Sequence, residues 1–245
     1  MRKLLAYLLT LIYLLPFGLT LVIFHPIQWI CLKFFGYEAH HRSVSLLNLF
    51  LLRRTHILGA RYTFTNRFSL PTDRPLIIVA NHQSMYDISP IVWYMRRHHP
   101  KFVSKKELGR GIPSVSFNLR HGGSVLIDRK DAKQALVEIA RLGRYIDNYT
   151  RSAVIFPEGT RSRTGRPKKF QTTGLKVLMK QAPNALIVPI SINNSWKMLQ
   201  YGKFPFGIGC HLKLQVHEPM EISGDPDELI EKVETTITSS VIVAS

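Results

Sequence analysis

The sequence predicts an α/β fold: a mixed, largely parallel sheet of about seven strands flanked by helices, with an apolar helical membrane segment at the N-terminus. Three observations predict it. Residues 4–32 contain no Lys, Arg, Asp or Glu. Beyond residue 60, short apolar or β-branched runs recur at 62–65, 76–80, 102–104, 124–127, 153–156, 187–192 and 212–216, and each has the length and composition of a strand. Helical patterns lie between these runs, and strand–helix alternation implies helices layered on a largely parallel sheet.

In chain order, the N-terminal run comes first. Crossing a hydrocarbon core takes about 20 apolar residues as a helix, and residues 4–24 alone reach that length. Arg2 and Lys3 precede the run, and positive flanks favour the cytoplasmic side. Pro16, Gly18 and Pro26 are expected to interrupt it. A second apolar stretch, 44–52, ends in Arg53 and Arg54 and has amphipathic character. A cleaved signal peptide fits poorly, because the run is too long and no A-x-A site follows. A spanning helix and a kinked pair of helices within one leaflet both remain open, and both seat the protein on a membrane. The boundary falls near residue 60. It separates a membrane-associated helical segment, 1–60, from an α/β domain, 61–245.

Within that domain the clearest helix is 131–149. Ala132, Ala135, Leu136, Ile139, Leu142 and Ile146 recur at three- and four-residue steps, with Asp131 as cap. A last helix is expected to open at Asp225-Pro226, with Asp as N-cap, Pro in the first turn, and Asp227 and Glu228 at the positive end of the dipole. Pro189, within the 187–192 run, predicts a strand edge, a bulge or a strand start.

Composition narrows the function. The 245 residues carry 33 Lys+Arg against 16 Asp+Glu, a formal charge of +17, and 45% are hydrophobic. A disordered basic tail is excluded by that hydrophobic content. Cys31 and Cys210 cannot form a disulfide framework, and no Cys/His cluster has zinc spacing. The charge asks for an anionic partner. No RNP-like strand, zinc finger or basic zipper accompanies it, so an acidic membrane surface or acidic substrates are expected rather than nucleic acid.

Four clusters carry possible chemistry, each just after an apolar strand run. In the first, 80–87, His82 and Asp87 are five residues apart. A regular helix would separate them by roughly 500°, but a loop can fold the carboxylate back onto the imidazole. Asp87 would then hold Nδ1–H and leave Nε2 free to take a proton. No protein nucleophile is needed if the substrate brings its own hydroxyl. Ser84 lies nearby, but no G-x-S-x-G elbow is present. The second cluster, 156–162, combines Glu158, Gly159, Thr160 and Arg161, joining a flexible backbone to a planar guanidinium suited to phosphate. Lys105 and Arg129 follow two further strand runs and can add positive charge to the same edge.

These blocks carry a resemblance. Asn81-His82-x4-Asp87, Gly123-x5-Arg129, Phe156-Pro157-Glu158-Gly159-Thr160-Arg161-Ser162 and Val188-Pro189-Ile190 stand in the order seen in the 1-acylglycerol-3-phosphate (lysophosphatidate) acyltransferases, part of the wider glycerolipid acyltransferase family. Lys105-Lys106-Glu107-Leu108 is similar to a further family segment. The resemblance spans roughly residues 75–192. It implies an α/β fold and transfer of a fatty acyl group from a thioester, on CoA or acyl carrier protein, to the 2-hydroxyl of 1-acylglycerol-3-phosphate. His82 would be the general base and Asp87 its orienter. Arg161 would bind phosphate, with Glu158, Gly159 and Thr160 shaping the pocket and Lys105 and Arg129 contributing charge. No metal or cofactor is implied beyond the acyl carrier. The catalytic domain would face the cytoplasm from the inner cell membrane. A relative acting on glycerol-3-phosphate or another lysolipid, a hydrolase, and a basic membrane-binding protein are the alternatives.

Overall fold

A computed structural model describes residues 2–243. The central sheet is built from β1 (Arg61–Thr65), β2 (Leu76–Ala80), β3 (Pro100–Lys105), β4 (Val125–Ile127), β5 (Ser152–Ile155), β6 (Leu186–Asn193), β7 (His211–Val216) and the two-residue β8 (Met220–Glu221). Their order is β1-β7-β6-β2-β5-β3-β4, with β8 also on β6. β2 pairs in parallel with β5 and β6, and β3 in parallel with β4 and β5. β7 and β8 run antiparallel to β6. The C-terminal ends of β2, β3, β4, β5 and β6 therefore share one edge of the sheet, where ligands bind in open α/β folds.

The burial pattern follows from two covered faces. All five residues of β2 and all eight of β6 are buried, as the inner strands of a parallel sheet must be. Alternate residues point to opposite faces. Ile77 and Val79 pack with Ile139, Leu142, Leu178 and Ile237 from α4 (Ala132–Tyr149), α5 (Thr172–Gln181) and α6 (Pro226–Ser239). Leu76, Ile78 and Ala80 pack on the other face with Ile91 and Val92 of α2 (Ile88–Tyr94) and Val44 of the N-terminal helix, and a short helix α3 (Val115–His121) lies between β3 and β4 in the chain. Asp131 caps α4 by accepting from Gln134 N at 2.9 Å, and Asp225 caps α6 by accepting from Asp227 N at 2.7 Å.

Pro189 departs from the sequence expectation. It lies inside the central strand β6, opposite Val79 of β2. The strand tolerates it because β8 pairs residues 186–187 and β7 pairs residues 190–193. The proline thus falls where one antiparallel partner gives way to the next and no ladder N–H is required. Its carbonyl still accepts from His217 N at 2.9 Å.

The N-terminal helix α1 (Arg2–Arg54) also breaks elsewhere than the sequence predicts. Pro16, Gly18 and Pro26 are passed without interruption, and the turn comes at Gly36, with φ 76° and ψ −166°. Only glycine adopts that backbone readily. The two arms fold back on each other: Leu21 clusters with Leu47 and Leu51, and the Phe24 and Phe50 rings lie 5.5 Å apart. The inner side of the first arm joins the protein core, with Ala6 and Tyr13 packed on Tyr86, Met198 and Ile208. Its outer side leaves Leu4, Leu8, Leu11, Leu15, Leu19 and Val22 exposed. Their spacing is one continuous helical stripe, on a helix long and apolar enough to cross a membrane.

Candidate active site

The first cluster is organised by a local cap. Ser84 starts a single 3-10 turn, residues Met85–Asp87, and its Oγ accepts from Tyr86 N at 3.1 Å. Asp87, three residues on, reaches back to accept from Ser84 N at 2.9 Å, the reciprocal arrangement of a capping box. The same Oδ2 accepts from Gln83 N at 2.7 Å and stands 2.8 Å from His82 Nδ1. This geometry is the physical reason for the five-residue separation. The carboxylate sits where a capping residue must sit, and the imidazole before the turn falls within its reach. Asp87 is fully buried, whereas the His82 side chain keeps 14% of its exposure. Nδ1 faces the carboxylate, and Nε2 is the ring nitrogen left for a substrate. The ring also stacks on Phe156, with centroids 4.2 Å apart and planes at 20°.

Two further segments pin this loop. Asn81 donates from Nδ2 to Ile192 O at 2.9 Å and accepts at Oδ1 from Ile192 N at 2.6 Å, bridging the ends of β2 and β6. Gln83 Oε1 accepts from Ser195 N at 3.0 Å, and Ser195 Oγ donates to Asp87 Oδ1. In the loop after β5, Glu158 accepts from His82 N at 2.7 Å with one oxygen and from Lys168 N at 2.9 Å with the other. Both oxygens of Glu158 are thus engaged by the main chain, and the residue is 2% exposed. Burial pushes its carboxyl above the ordinary carboxylate range, against the pull of the two amide bonds. Gly159 follows with φ +67°, and a Cβ there would stand 3.3 Å from the Gln171 carboxamide. Thr160 and Arg161 are exposed.

The His82 carbonyl accepts from Ser162 N at 2.7 Å, which holds Arg161 beside the histidine loop. Lys168 Nζ donates to the Arg161 carbonyl at 3.3 Å. The segment also carries Arg163, Arg166 and Lys169. Arg129 approaches from the end of β4. Partial loss of hydration holds its guanidinium below the ordinary range, and the charge of Arg161 lowers it further against the pull of Glu107. Lys105, at the end of β3, makes an exposed 3.5 Å ion pair with Glu107. The structure therefore unites His82, Asp87 and Glu158 through direct contacts and sets Arg161 and Arg129 close by. Lys105 pairs with Glu107, away from the hydrogen bonds that join the described residues of the histidine loop. The contributions of Phe156 as a stacking surface, Gln83 as a bridge and Ser195 as a partner of Asp87 were not legible in the motifs. Phe156 stood inside a recognised block, but Ser195 is preceded by no pattern that marks it.

Among the described residues, neither serine beside the dyad is placed as the nucleophile of a triad. The Ser84 hydroxyl is a buried cap and the Ser195 hydroxyl is buried against Asp87. An imidazole oriented by a carboxylate, beside exposed guanidinium groups at a sheet edge, can act chemically as a general base toward an anionic substrate that supplies its own hydroxyl.

The chain belongs to the acyltransferase family, whose model matches residues 61–193, more than half of its length. Among curated proteins, it is 36% identical to a 1-acyl-sn-glycerol-3-phosphate acyltransferase of Helicobacter pylori over 133 residues, 51% of this chain and 54% of that protein. It is 25% identical to the human 1-acyl-sn-glycerol-3-phosphate acyltransferase beta over 183 residues, 74% of this chain and 64% of the relative. The chain thus spans about half to two thirds of the length of these relatives. Its fold is similar to the crystal structure of the 1-acyl-sn-glycerophosphate (LPA) acyltransferase PlsC from Thermotoga maritima, with a TM-score of 0.77 and 25% identity over 98% of this chain and 95% of that one. At that coverage the likeness includes the N-terminal helical arms.

Proposed function

We propose that the protein is a 1-acyl-sn-glycerol-3-phosphate acyltransferase that moves a fatty acyl group from a thioester, on CoA or acyl carrier protein, to the 2-hydroxyl of lysophosphatidate. The observation that carries this reading is the His82–Asp87 contact at 2.8 Å, at a sheet edge rimmed by Arg129 and Arg161. His82 Nε2 takes the proton of the acceptor hydroxyl as its oxygen attacks the thioester carbonyl. Asp87 holds the Nδ1–H tautomer and stabilises the imidazolium that forms. The C–S bond then breaks, and the imidazolium returns its proton to the departing thiolate. Phe156 keeps the ring in plane. Arg161, with Arg129, binds the acceptor phosphate through charge-assisted hydrogen bonds.

The N-terminal arms support a membrane-seated enzyme. They fold back at Gly36, so the apolar stripe can enter one leaflet while both ends stay with the catalytic domain. The +17 charge favours an anionic headgroup surface and an acidic acyl carrier. The catalytic domain faces the cytoplasm, where acyl thioesters are made.

The test is a product assay with the purified full chain in detergent, offering lysophosphatidate, glycerol-3-phosphate and other lysolipids against acyl-CoA and acyl carrier protein thioesters. Phosphatidate should form with wild type and be lost in His82→Ala. General-base assistance is worth about 10²–10⁴-fold. Release of free fatty acid alone, or unchanged turnover in His82→Ala, would overturn the reading.

A further inference from the structure

We infer that Ser195 is a positioning residue for the general base, acting through the second oxygen of Asp87; the inference rests on the acyl-transfer reading above. Asp87 is fully buried, so water cannot complete its hydration. Its Oδ2 receives three donors, from His82 Nδ1, Gln83 N and Ser84 N, all within six residues of one another in sequence. Among the described residues, Oδ1 has one donor, the Ser195 hydroxyl, which comes from 108 residues further along the chain. The local cap therefore fixes one oxygen and tertiary structure fixes the other.

The hydroxyl is itself held from several directions. Ser195 is fully buried, and its N–H donates to Gln83 Oε1. The preceding Asn194 takes a left-handed conformation, φ 67°, and donates from Nδ2 to His211 O at 3.1 Å. Asn81 clamps Ile192 by both of its main-chain groups. Ser195 is thus on a short platform at the end of β6, tied to the histidine loop at three points: 81 to 192, 83 to 195 and 87 to 195. A carboxylate engaged at both oxygens, one of them from a distant segment, is held against turning about its side-chain torsion. The Oδ2 oxygen then stays in line with the imidazole N–H. Without the hydroxyl, Oδ1 is a buried, unpaired anionic acceptor and the carboxylate is free to turn toward any donor.

The experiment compares Ser195→Ala and Ser195→Thr with wild type, using the full chain in detergent. One readout is steady-state acyl transfer from acyl-CoA to lysophosphatidate. The other, independent of turnover, is the Nδ1–H proton resonance of His82 in protein labelled with ¹⁵N-histidine and assigned by its loss in His82→Ala. Ser195→Ala should lower kcat about tenfold to a hundredfold, the range for a hydrogen bond to a charged group. KM for either substrate should stay within about twofold, because Ser195 touches neither. The ring-proton resonance should move or broaden, and Ser195→Thr should restore both readouts. If the added methyl prevents Ser195→Thr from folding, the ring-proton comparison of wild type with Ser195→Ala decides alone. Wild-type kcat in Ser195→Ala, or a loss of kcat with the resonance unmoved, overturns the inference. If wild type transfers no acyl group, the acyltransferase reading fails, and the ring-proton comparison still reports whether Ser195 positions Asp87.

Discussion

Replacing Asp87 by Asn separates charge from geometry at this site. Oδ2 carries three of the four hydrogen bonds to Asp87, from His82 Nδ1, Gln83 N and Ser84 N. An asparagine carbonyl placed there keeps all three, because each partner is a donor. Its NH2 group then faces Ser195 Oγ, and that hydroxyl can rotate to accept. The cap and the imidazole tautomer survive, and the negative charge is lost. That charge matters once His82 has taken the hydroxyl proton. Two unit charges about 4 Å apart attract by about 4 kcal/mol at an effective dielectric of about 20. The Asp87 side chain is fully buried and that of His82 only 14% exposed, so solvent screens little of this. A barrier raised by about 4 kcal/mol is about a 10³-fold loss in kcat. Thermal stability should change little, in contrast to Asp87→Ala. The alanine would leave the His82, Gln83, Ser84 and Ser195 donors without their buried acceptor, at about 1–3 kcal/mol for each unsatisfied group. The assay is single-turnover acyl transfer, with folding followed by circular dichroism and melting. An Asp87→Asn enzyme that folds and turns over within about threefold of wild type would refute the assignment of imidazolium stabilisation to Asp87.

Arg161→Ala removes an exposed guanidinium that the Ser162 main chain holds beside His82. It should raise KM for lysophosphatidate about tenfold or more, with kcat and folding retained; an unchanged KM takes Arg161 out of the phosphate site. Lys101 offers a test of pH-dependent stability away from the chemistry. It is 5% exposed, with Nζ 4.9 Å from the centre of the Tyr37 ring. Burial, aided by the charge of Arg151 and opposed by Glu38, pushes it down from 10.5 to about 7. Below pH 7 both folded and unfolded chains carry the proton, so the folded state bears the full cost of burying the ammonium. Between about 7 and 10.5 Lys101 is charged only in the unfolded chain, so stability rises with pH across that window, and as pH falls the gain is lost across the same window and is gone below 7. The separation of 10.5 − 7 bounds the effect at about 5 kcal/mol. Lys101→Met should therefore raise the melting temperature at pH 6 and lose that advantage towards pH 10; an equal shift at both pH values would show that the lysine is not charged at a cost.

Local rules made much of this protein legible in advance. The seven main strands lie where the apolar or β-branched runs stood; the inner strands β2 and β6 are buried throughout, and β7 alternates buried and outward residues. Asp131 and Asp225 cap their helices because capping involves only the next few residues. The spacing of His82 and Asp87 is likewise a local matter, a cap and the residue before it. Elements that depend on distant partners were not legible. Pro189 could be placed in the sheet only by knowing that β7 and β8 divide one side of β6 between them. The proline-containing helix runs on to Gly36 because backbone conformation, rather than proline count, chose the turning point. Both oxygens of Glu158, which its motif presented as pocket-forming, are engaged by amides at 82 and 168.

The order of elements, the apolar N-terminus and the residue types gathered at strand ends are properties of the chain alone, since each rests on periodicity, capping or composition over a few residues. The folding back of the N-terminal arms, the meeting of Ser195 with Asp87 and the burial of Lys101 belong to tertiary structure. They depend on which distant segments are packed together, and side-chain types along one dimension do not encode those neighbours in any short pattern.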